Sequence, residues 1–522
     1  MSRAVASKDI DAKEVATSSE IQRLLEQDTT PWYRKKNLRM LYAFLVPSAM
    51  GVEMTSGYDG SVLNGLQAVD KWQEHFNNPH GSLLGIVTAS FNFGAVAGIP
   101  LIPYVNDRFG RKFCIVLGSI FISIGVILQT LAINVGMLIA SRFIMGMGLP
   151  YAVSGASQLI AELSYPRERA IVIGLFNESW YAGAILAAGV TLGTFEWTNH
   201  WSWRLPTLFQ ILPSSLQLIF IWFVPESPRW LMSRDRHEEA LAILIKYHAE
   251  GDAASPFVAA EYHQIRETIR LEQEASRSPW KELLTNSVNR RRVLIAACVG
   301  LFAQWAGNGL VSYYLARVLK SIGITDRRTQ NQLNLGLMCW NLVTGVSGSF
   351  AQGYMPRRKQ FLTGYGGMCL IFSCWTAASA TYAKDNTNTA AGRAVVALIF
   401  IYYAFYNLMM PLAYCYITEV FPYMHRSKGV AIMQLFSRAG SAFNQFVNPI
   451  GLDSLAWKFY LVYVVWLAVE TTVIFLLYPE TKGPSLEEVA MVMDRDAKVE
   501  KVERGAMEKN LARGEAEEVE KA

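Results

Sequence analysis

Charge is scarce in this chain: Asp, Glu, Lys and Arg make up 17% of its 522 residues, against roughly 25% in a soluble globular domain. That scarcity excludes an ordinary soluble fold of this size, and the 52% of hydrophobic residues takes up the difference. Cysteine is rare too. The six present, Cys114, Cys298, Cys339, Cys369, Cys374 and Cys415, lie inside or at the ends of apolar runs without metal-ligand spacing, so they read as apolar packing. No nucleophile–base constellation, phosphate loop or nucleic-acid motif appears, which argues against an enzyme and against a nucleic-acid partner. The net charge of +5 resides in loops and tails. The first 39 residues lack an apolar core of signal-peptide type, which leaves targeting to the first membrane helix. The one Asn-x-Ser/Thr sequon, Asn177-Glu178-Ser179, falls within an apolar run and is not expected to carry a glycan.

What the chain has in abundance is long apolar runs. Twelve are legible: Met40–Asn64, Ser82–Pro103, Phe113–Leu131, Val135–Glu162, Ala170–Thr194, Leu205–Val224, Val293–Lys320, Gln332–Gly353, Phe361–Tyr382, Gly392–Glu419, Lys428–Ile450 and Trp457–Tyr478. About 20 apolar residues at ~1.5 Å rise cross a ~30 Å hydrocarbon core, so these runs predict an all-α membrane protein. A polar tail (1–39), a six-helix bundle (40–225), a linker with short helices (226–292), a second six-helix bundle (293–478) and a charged tail (479–522) follow in order. Cations cluster before span 1 (Arg34, Lys35, Lys36, Arg39) and in alternate short loops, placing those loops and both termini in the cytoplasm.

The two halves repeat one another. Asp107-Arg108-Phe109-Gly110-Arg111-Lys112 joins spans 2 and 3, and a faded copy, Gly353-Tyr354-Met355-Pro356-Arg357-Arg358-Lys359, joins spans 8 and 9 without the acid or the glycine. Glu162 precedes Arg169 by seven residues after span 4, and Glu419 precedes Arg426 by seven after span 10. Pro225-Glu226-Ser227-Pro228-Arg229 follows span 6, and Pro479-Glu480-Thr481-Lys482-Gly483 follows span 12. Parallel repeats of this kind imply a transporter with a site between the halves. Each acid and the cation seven residues on are expected to form an ion-pair latch, made in one state and broken in the other; the lost Asp and Gly weaken the second loop.

These motifs, with Arg142-Phe143-Ile144-Met145-Gly146, resemble the sugar porter family of the major facilitator superfamily over Met40 to Val489. Ser56-Gly57-Tyr58-Asp59-Gly60, Gln304-Trp305-Ala306-Gly307-Asn308 and Asn448-Pro449-Ile450 resemble its fungal lactose and cellodextrin permease branch. The resemblance implies import of a hexose or small oligosaccharide by alternating access at the plasma membrane, with no cofactor beyond a coupling proton and with the bilayer as partner of a monomer. It also implies gating by Asp107, Arg108, Arg111, Glu162, Arg169, Glu226, Arg229, Glu419, Arg426 and Glu480. By family position, Asn177, Gln304, Asn308, Asn341 and Tyr414, with Tyr313 and Tyr314, are the implied sugar contacts; amides offer both donor and acceptor to hydroxyls.

Ionisable groups inside spans cost ~2.5–3.5 kcal/mol on insertion scales and need a partner or a function. Asp59 in span 1 and Arg142 in span 4 are the expected proton-coupling pair, since protonating Asp59 would release Arg142; a permanent structural ion pair is the competing reading. Arg438 in span 11 suits a carboxylate, which makes a sugar acid an alternative substrate, or else it pairs with Glu53. Glu470 reads as a lipid- or helix-facing residue near a span end, and Trp197, Trp201 and Trp203 as interface anchors. A sugar receptor without flux remains the other class.

Overall fold

A computed structural model describes residues 23–28, 30–276, 280–285, 287–385, 387–421 and 425–481. The tail segments 1–22 and 482–522 lie outside these. Among the described residues every regular element is helical, and twelve rods coincide with the twelve apolar runs. Span 1 comprises Lys36–Leu45 and Gly51–Leu66, joined by a π-helical turn at Val46–Met50 where Pro47 removes one amide donor. Span 2 runs from Gly81–Gly98 into Ile102–Phe109; spans 3, 4 and 5 are Arg111–Thr130, Val135–Leu163 and Arg169–Thr194. Span 6 is Trp201–Phe209 with Ile211–Phe220, and span 7 is Ser287–Trp305 with Asn308–Ser321. Spans 8 and 9 are Arg327–Tyr354 and Arg357–Lys384; span 10 is Thr389–Met409 with Leu412–Val420; spans 11 and 12 are Arg426–Leu455 and Phe459–Leu477.

Nine helical stretches among the described residues are long and apolar enough to cross a membrane, the last running through spans 11 and 12. Spans 1 and 8 are not among them. Both carry polar residues, such as Asn64 and Asn334, toward the opposite half. Within the first half, span 1 packs on span 5 and span 4 on spans 2 and 3; within the second, span 7 packs on span 11 and span 9 on spans 10 and 12. The halves meet where span 2 lies against span 11 and span 5 against span 8.

The linker belongs to the first half. Its helices His237–His248 and Pro256–Ser276 bury Leu244, Tyr247, Phe257 and Val258 in one apolar cluster with Leu38, Leu41 and Leu163. The Glu250 carboxylate accepts from the Asn37 and Leu38 amides at 2.9 and 3.0 Å, capping the first turn of span 1, where orphan donors attract an anion. His248 places Nδ1 against Glu261 (2.7 Å) and Nε2 against the Leu163 carbonyl (3.2 Å), fixing the linker to the end of span 4. We call this end of the molecule the linker face.

At the other end the halves are closed against each other. Asn64 inserts its amide into the helical ladder of span 7: its Nδ2 donates to the Val311 carbonyl (3.3 Å), and its Oδ1 accepts from the Leu315 amide (3.0 Å). Those are the two groups that would otherwise bond to one another, so the helix departs from helical geometry at Tyr314 (φ −135°, ψ 24°). Asn64 also donates to Asn334 (3.1 Å), Gln67 to the Tyr313 carbonyl (2.6 Å), and Thr88 pairs with the Tyr314 hydroxyl (2.5 Å). Peripheral to these, Asp453 accepts from the Gly81 amide (2.8 Å) and from Arg317 (2.5 Å), and Arg327 pairs with Asp70. Asn64→Ala lets the Leu315–Val311 bond re-form and removes the link to Asn334, so the closed face should open. The expected result is a longer distance, by electron–electron resonance, between spin labels at Lys71 and Arg328; an unchanged distance would show that Asn64 does not hold this face.

Two expectations are corrected. Glu470 is not near a span end, and of the two orientations expected it takes the helix-facing one: it is fully buried in the second half beside the Trp466 indole, with neither carboxylate oxygen in good hydrogen-bonding geometry. Its surroundings include Tyr365, Tyr402 and Cys298, with no cation among them. A buried group left without a partner costs ~1–3 kcal/mol. Glu470→Leu should therefore raise the thermal midpoint of purified protein by roughly 2–4 °C per kcal/mol recovered while leaving transport intact; a fall in midpoint would mean the carboxyl holds the bundle together. Trp203 is likewise no interface anchor. It is 1% exposed and packs on Phe76 and His75, whereas Trp197 and Trp201 are exposed.

Candidate functional site

Asp59 and Arg142 come together as a bidentate pair, Nη1 to Oδ1 and Nη2 to Oδ2 at 3.2 Å each, with both residues almost completely buried. Gln210 of span 6 adds a third hydrogen bond to Asp59 Oδ1 at 2.9 Å. Sequence reasoning passed over Gln210; a lone amide within an apolar run was the available signal. Arg142 Nε donates to the Val87 carbonyl at 3.0 Å. The next residue, Thr88, bonds across to Tyr314 and to the Gln445 carbonyl of the second half. The charge pair thus sits one residue from a contact between halves. Losing the negative charge on Asp59 changes what Arg142 binds, and Arg142 is anchored to the strand of backbone that makes that contact.

Of the four amides implied as sugar contacts, Gln304, Asn308 and Asn341 lie in the second half, bonded to neighbours there. Gln304 donates to Ser437 (3.1 Å), and Asn308 to the Tyr406 hydroxyl (2.8 Å), with its own carbonyl oxygen buried and unpartnered. Asn341 accepts from Asn407 (3.2 Å), which in turn accepts from Tyr181 of the first half (2.6 Å). Gly307, at φ +101°, breaks span 7 between Gln304 and Asn308 and turns the two amides to different heights. Asn177 is exposed on span 5. Its neighbour Glu178 reaches the other half instead, accepting from Ser349 at 3.3 Å. The Tyr313 hydroxyl lies within the electrostatic reach of Asp59, Arg142 and Arg438, so one ring connects the pair to the space between halves. The Tyr414 side chain lies outside the described residues.

At the linker face the expected latch has different partners. Glu162 pairs with Arg111 through two bonds of 3.1 and 3.2 Å and accepts from Ser227, while Arg169 turns to Glu261 at 3.8 Å. In the second half Glu419 pairs with Arg357 at 3.2 Å and accepts from Thr481; the Arg426 side chain lies outside the described residues. The acid is thus held by the loop arginine of the preceding hairpin, because that loop folds over the end of the neighbouring span. Glu226 accepts from the Lys112 amide (3.2 Å), and Glu480 from the Arg357 and Arg358 amides (2.8 and 3.0 Å), so both repeats build the same triad of loop arginine, span-end acid and capping glutamate. Burial raises the Glu226 carboxyl above its ordinary range, opposed by the Ser227 and Lys112 amides and by Arg111. The loss of Asp and Gly from the second loop does not cost it these pairs: Gly110 needs φ +94° to admit Glu226, whereas Pro356 reaches the same cap with φ −59°. Asp107 is exposed and contributes its carbonyl, to Trp230 (2.8 Å) and Arg234 (2.6 Å), and Arg108 packs on Tyr104. Arg229 stands in the helix Pro228–Ser233, close enough to Arg169 to act on it.

The geometry is that of two repeated six-helix halves, closed against each other at one face, with a charge triad inside each half at the other. Comparison with known proteins agrees. The profile described as Sugar (and other) transporter matches residues 44–493. A high-affinity glucose transporter from Kluyveromyces lactis is 28% identical over 456 residues, covering 83% of this chain and 81% of the relative. The MFS-type transporter criB from Aspergillus cristatus is 26% identical and covers 89% of this chain and 95% of its own length. Among solved structures, the partially occluded inward-open xylose transporter XylE from Escherichia coli superposes with a TM-score of 0.71 at 20% identity, covering 86% of this chain and all of that one. The chain therefore belongs to the sugar transporter family of the major facilitator superfamily, as a multi-pass membrane carrier of twelve helices and not an enzyme.

Proposed function

We propose that this carrier imports a sugar across the plasma membrane by proton symport with alternating access, acting as a monomer with the linker face and both termini in the cytoplasm. The observation that carries the reading is the buried Asp59–Arg142 pair, set one residue from the contact between halves. A carboxylate that must be neutralised before its arginine is released is a means of tying proton uptake to movement of the halves. The relatives support a sugar as cargo: one is a glucose transporter, and XylE is a proton:xylose symporter. The face closed by Asn64, Gln67 and Thr88 supports a state in which access is shut at the end opposite the linker. Within the class, a hexose and a small oligosaccharide such as lactose or cellobiose both present the hydroxyls that amides such as Gln304, Asn308 and Asn341 can bond, as donors and as acceptors.

The test is uptake of labelled glucose, lactose, cellobiose and galacturonate in transporter-null yeast at pH 5 and 7.5. Accumulation that is faster at pH 5 supports symport and identifies the cargo; uptake indifferent to pH makes the protein a facilitator. Absence of flux for every sugar, in protein shown to reach the membrane, would replace this reading with a sugar receptor. The second reading, a carrier of sugar acids, is favoured by the position of Arg438.

A further inference from the structure

We infer that a groove on the outer surface of the second half, between spans 9 and 12, holds an acyl chain of an anionic phospholipid whose headgroup rests on Arg358 and Lys359. The site lies apart from the transport path, and only the naming of its leaflet as the cytoplasmic one rests on the import reading. The groove has a volume of about 640 Å³ and is lined by Leu362, Gly366 and Ser373 of span 9 and by Ala468, Thr472 and Phe475 of span 12. Leu370, which also lines it, and Phe475 are 65% and 58% exposed. Large apolar side chains left uncovered within membrane spans face lipid, so the groove opens to the bilayer.

The repeat shows where the groove comes from. Span 9 matches span 3 when Arg357 is laid on Arg111, the loop arginines of the two triads. In that register Gly366 and Ser373 fall on Ile120 and Ile127, both exposed on the first half. Two branched side chains on one lipid-facing strip are thus replaced by a hydrogen and a hydroxymethyl group, and a Cβ added at Gly366 would meet nothing within 4 Å. The same register sets Lys359 on Phe113, which packs on Phe109. Where the first half closes its span end with two rings, the second half places a cation.

The walls suit a hydrocarbon chain. Thr471, Thr472 and Ser373 donate their hydroxyls to carbonyls of their own helices at 2.7, 2.8 and 2.8 Å, so the donors of the lining are already spent. From Leu362 to Ser373 span 9 rises ~16 Å at ~1.5 Å per residue, half of a ~30 Å hydrocarbon core, so the groove runs through one leaflet. The mouth suits an anion. Arg358 and Lys359 precede Leu362 by four and three residues and share its helix face. The Arg358 guanidinium lies over the Phe475 ring, 5.2 Å from its centre, and donates to the Phe475 carbonyl; Lys359 is exposed. Arg291 donates to the Leu477 carbonyl nearby (3.4 Å). Arg357 is committed to Glu419, and Glu480 accepts from the Arg357 and Arg358 amides. Among the described residues the side chains of Arg358 and Lys359 pair with no carboxylate. Cations at this level attract the anionic lipids of a cytoplasmic leaflet.

The test is native mass spectrometry of the full chain extracted from vesicles of phosphatidylserine and phosphatidylcholine in equal parts. Wild type should retain phosphatidylserine in preference to phosphatidylcholine. Lys359→Gln should weaken that retention by about 5-fold, the worth of one cation near an anionic surface. Gly366→Leu, which fills the groove from a position with open space, should abolish it while the thermal midpoint holds. Lys359→Gln, a change on an exposed side chain, decides the matter should Gly366→Leu unfold. Retention that is blind to the headgroup, or unchanged in either variant, would overturn the site. So would a dimer mass that Gly366→Leu removes, since a second copy would then fill the groove. The readout does not depend on transport: phosphatidylserine retained without flux of any sugar removes the import reading alone, and flux with headgroup-blind retention removes this site alone.

Discussion

Asp59→Asn is expected to abolish accumulation of substrate above its external concentration, leaving at most equilibration, and to erase the difference in initial rate between pH 5 and 7.5. The amide keeps the shape and can still accept one bond from Arg142 and face Gln210, but it removes the charge that satisfies a guanidinium 2% exposed. Removing one partner of a buried ion pair costs ~3–5 kcal/mol because the other charge stays behind. The single variant should therefore also unfold at lower temperature, which alone would leave a structural role open. The double variant Asp59→Asn with Arg142→Gln separates the two. It removes the stranded charge, so its thermal midpoint should return toward wild type while accumulation stays lost. A double variant that again concentrates substrate in response to acid pH would reduce the pair to a brace between spans 1 and 4 and move proton coupling elsewhere.

The sequence was most legible where periodicity and composition act locally. Twelve apolar runs became twelve rods, and a loop seen twice became two triads with the same partners. Reasoning along the chain paired Glu162 with Arg169 and Glu419 with Arg426, because seven residues is a short distance in sequence. The folded chain instead brings Arg111 and Arg357 over the span ends from the preceding hairpin, a contact that no local spacing encodes. Composition also put Glu470 too near a span end and left its face open, since a lone acid in an apolar run says nothing about which side of the helix it occupies. The amides of the second half were visible as residue types; that Gln304 would turn to Ser437, Asn308 to Tyr406 and Asn341 to Asn407 depends on the break of span 7 at Gly307 and on packing that only the assembled halves fix. Asn64 gave no sequence signal beyond being polar at a span end, yet it determines where span 7 bends.

The spacing of spans 1 and 5 gives the other large effect. Two glycines face each other's helix reciprocally: a Cβ added at Gly57 would lie 1.8 Å from the Trp180 carbonyl oxygen, and one at Gly183 would lie 1.9 Å from that of Met54. The obstacle is backbone in both places, so no side chain can swing aside and the helices themselves have to separate by more than about 1 Å, which in a close-packed interior forfeits contacts along the whole seam. Overpacking of this kind costs ~1–3 kcal/mol in ordinary cores and more where backbone is the obstacle. Gly57→Ala and Gly183→Ala are each expected to lower the thermal midpoint by at least ~5 °C and to suppress uptake, since Asp59 lies half a turn beyond Gly57, and Glu178 and Tyr181 flank Gly183 on the side facing span 8. Span 5 supplies its own controls. Gly174, Gly189 and Gly193 have open space where a Cβ would go, so alanine there should be neutral or stabilising through helix propensity, by up to ~1 kcal/mol. The comparison by fluorescence-detected size exclusion after heating is decisive. Sensitivity at Gly57 and Gly183 with tolerance at the other three places the requirement in helix contact, whereas equal loss at all five would mean that span 5 needs glycine for its own bending and that the seam with span 1 has slack.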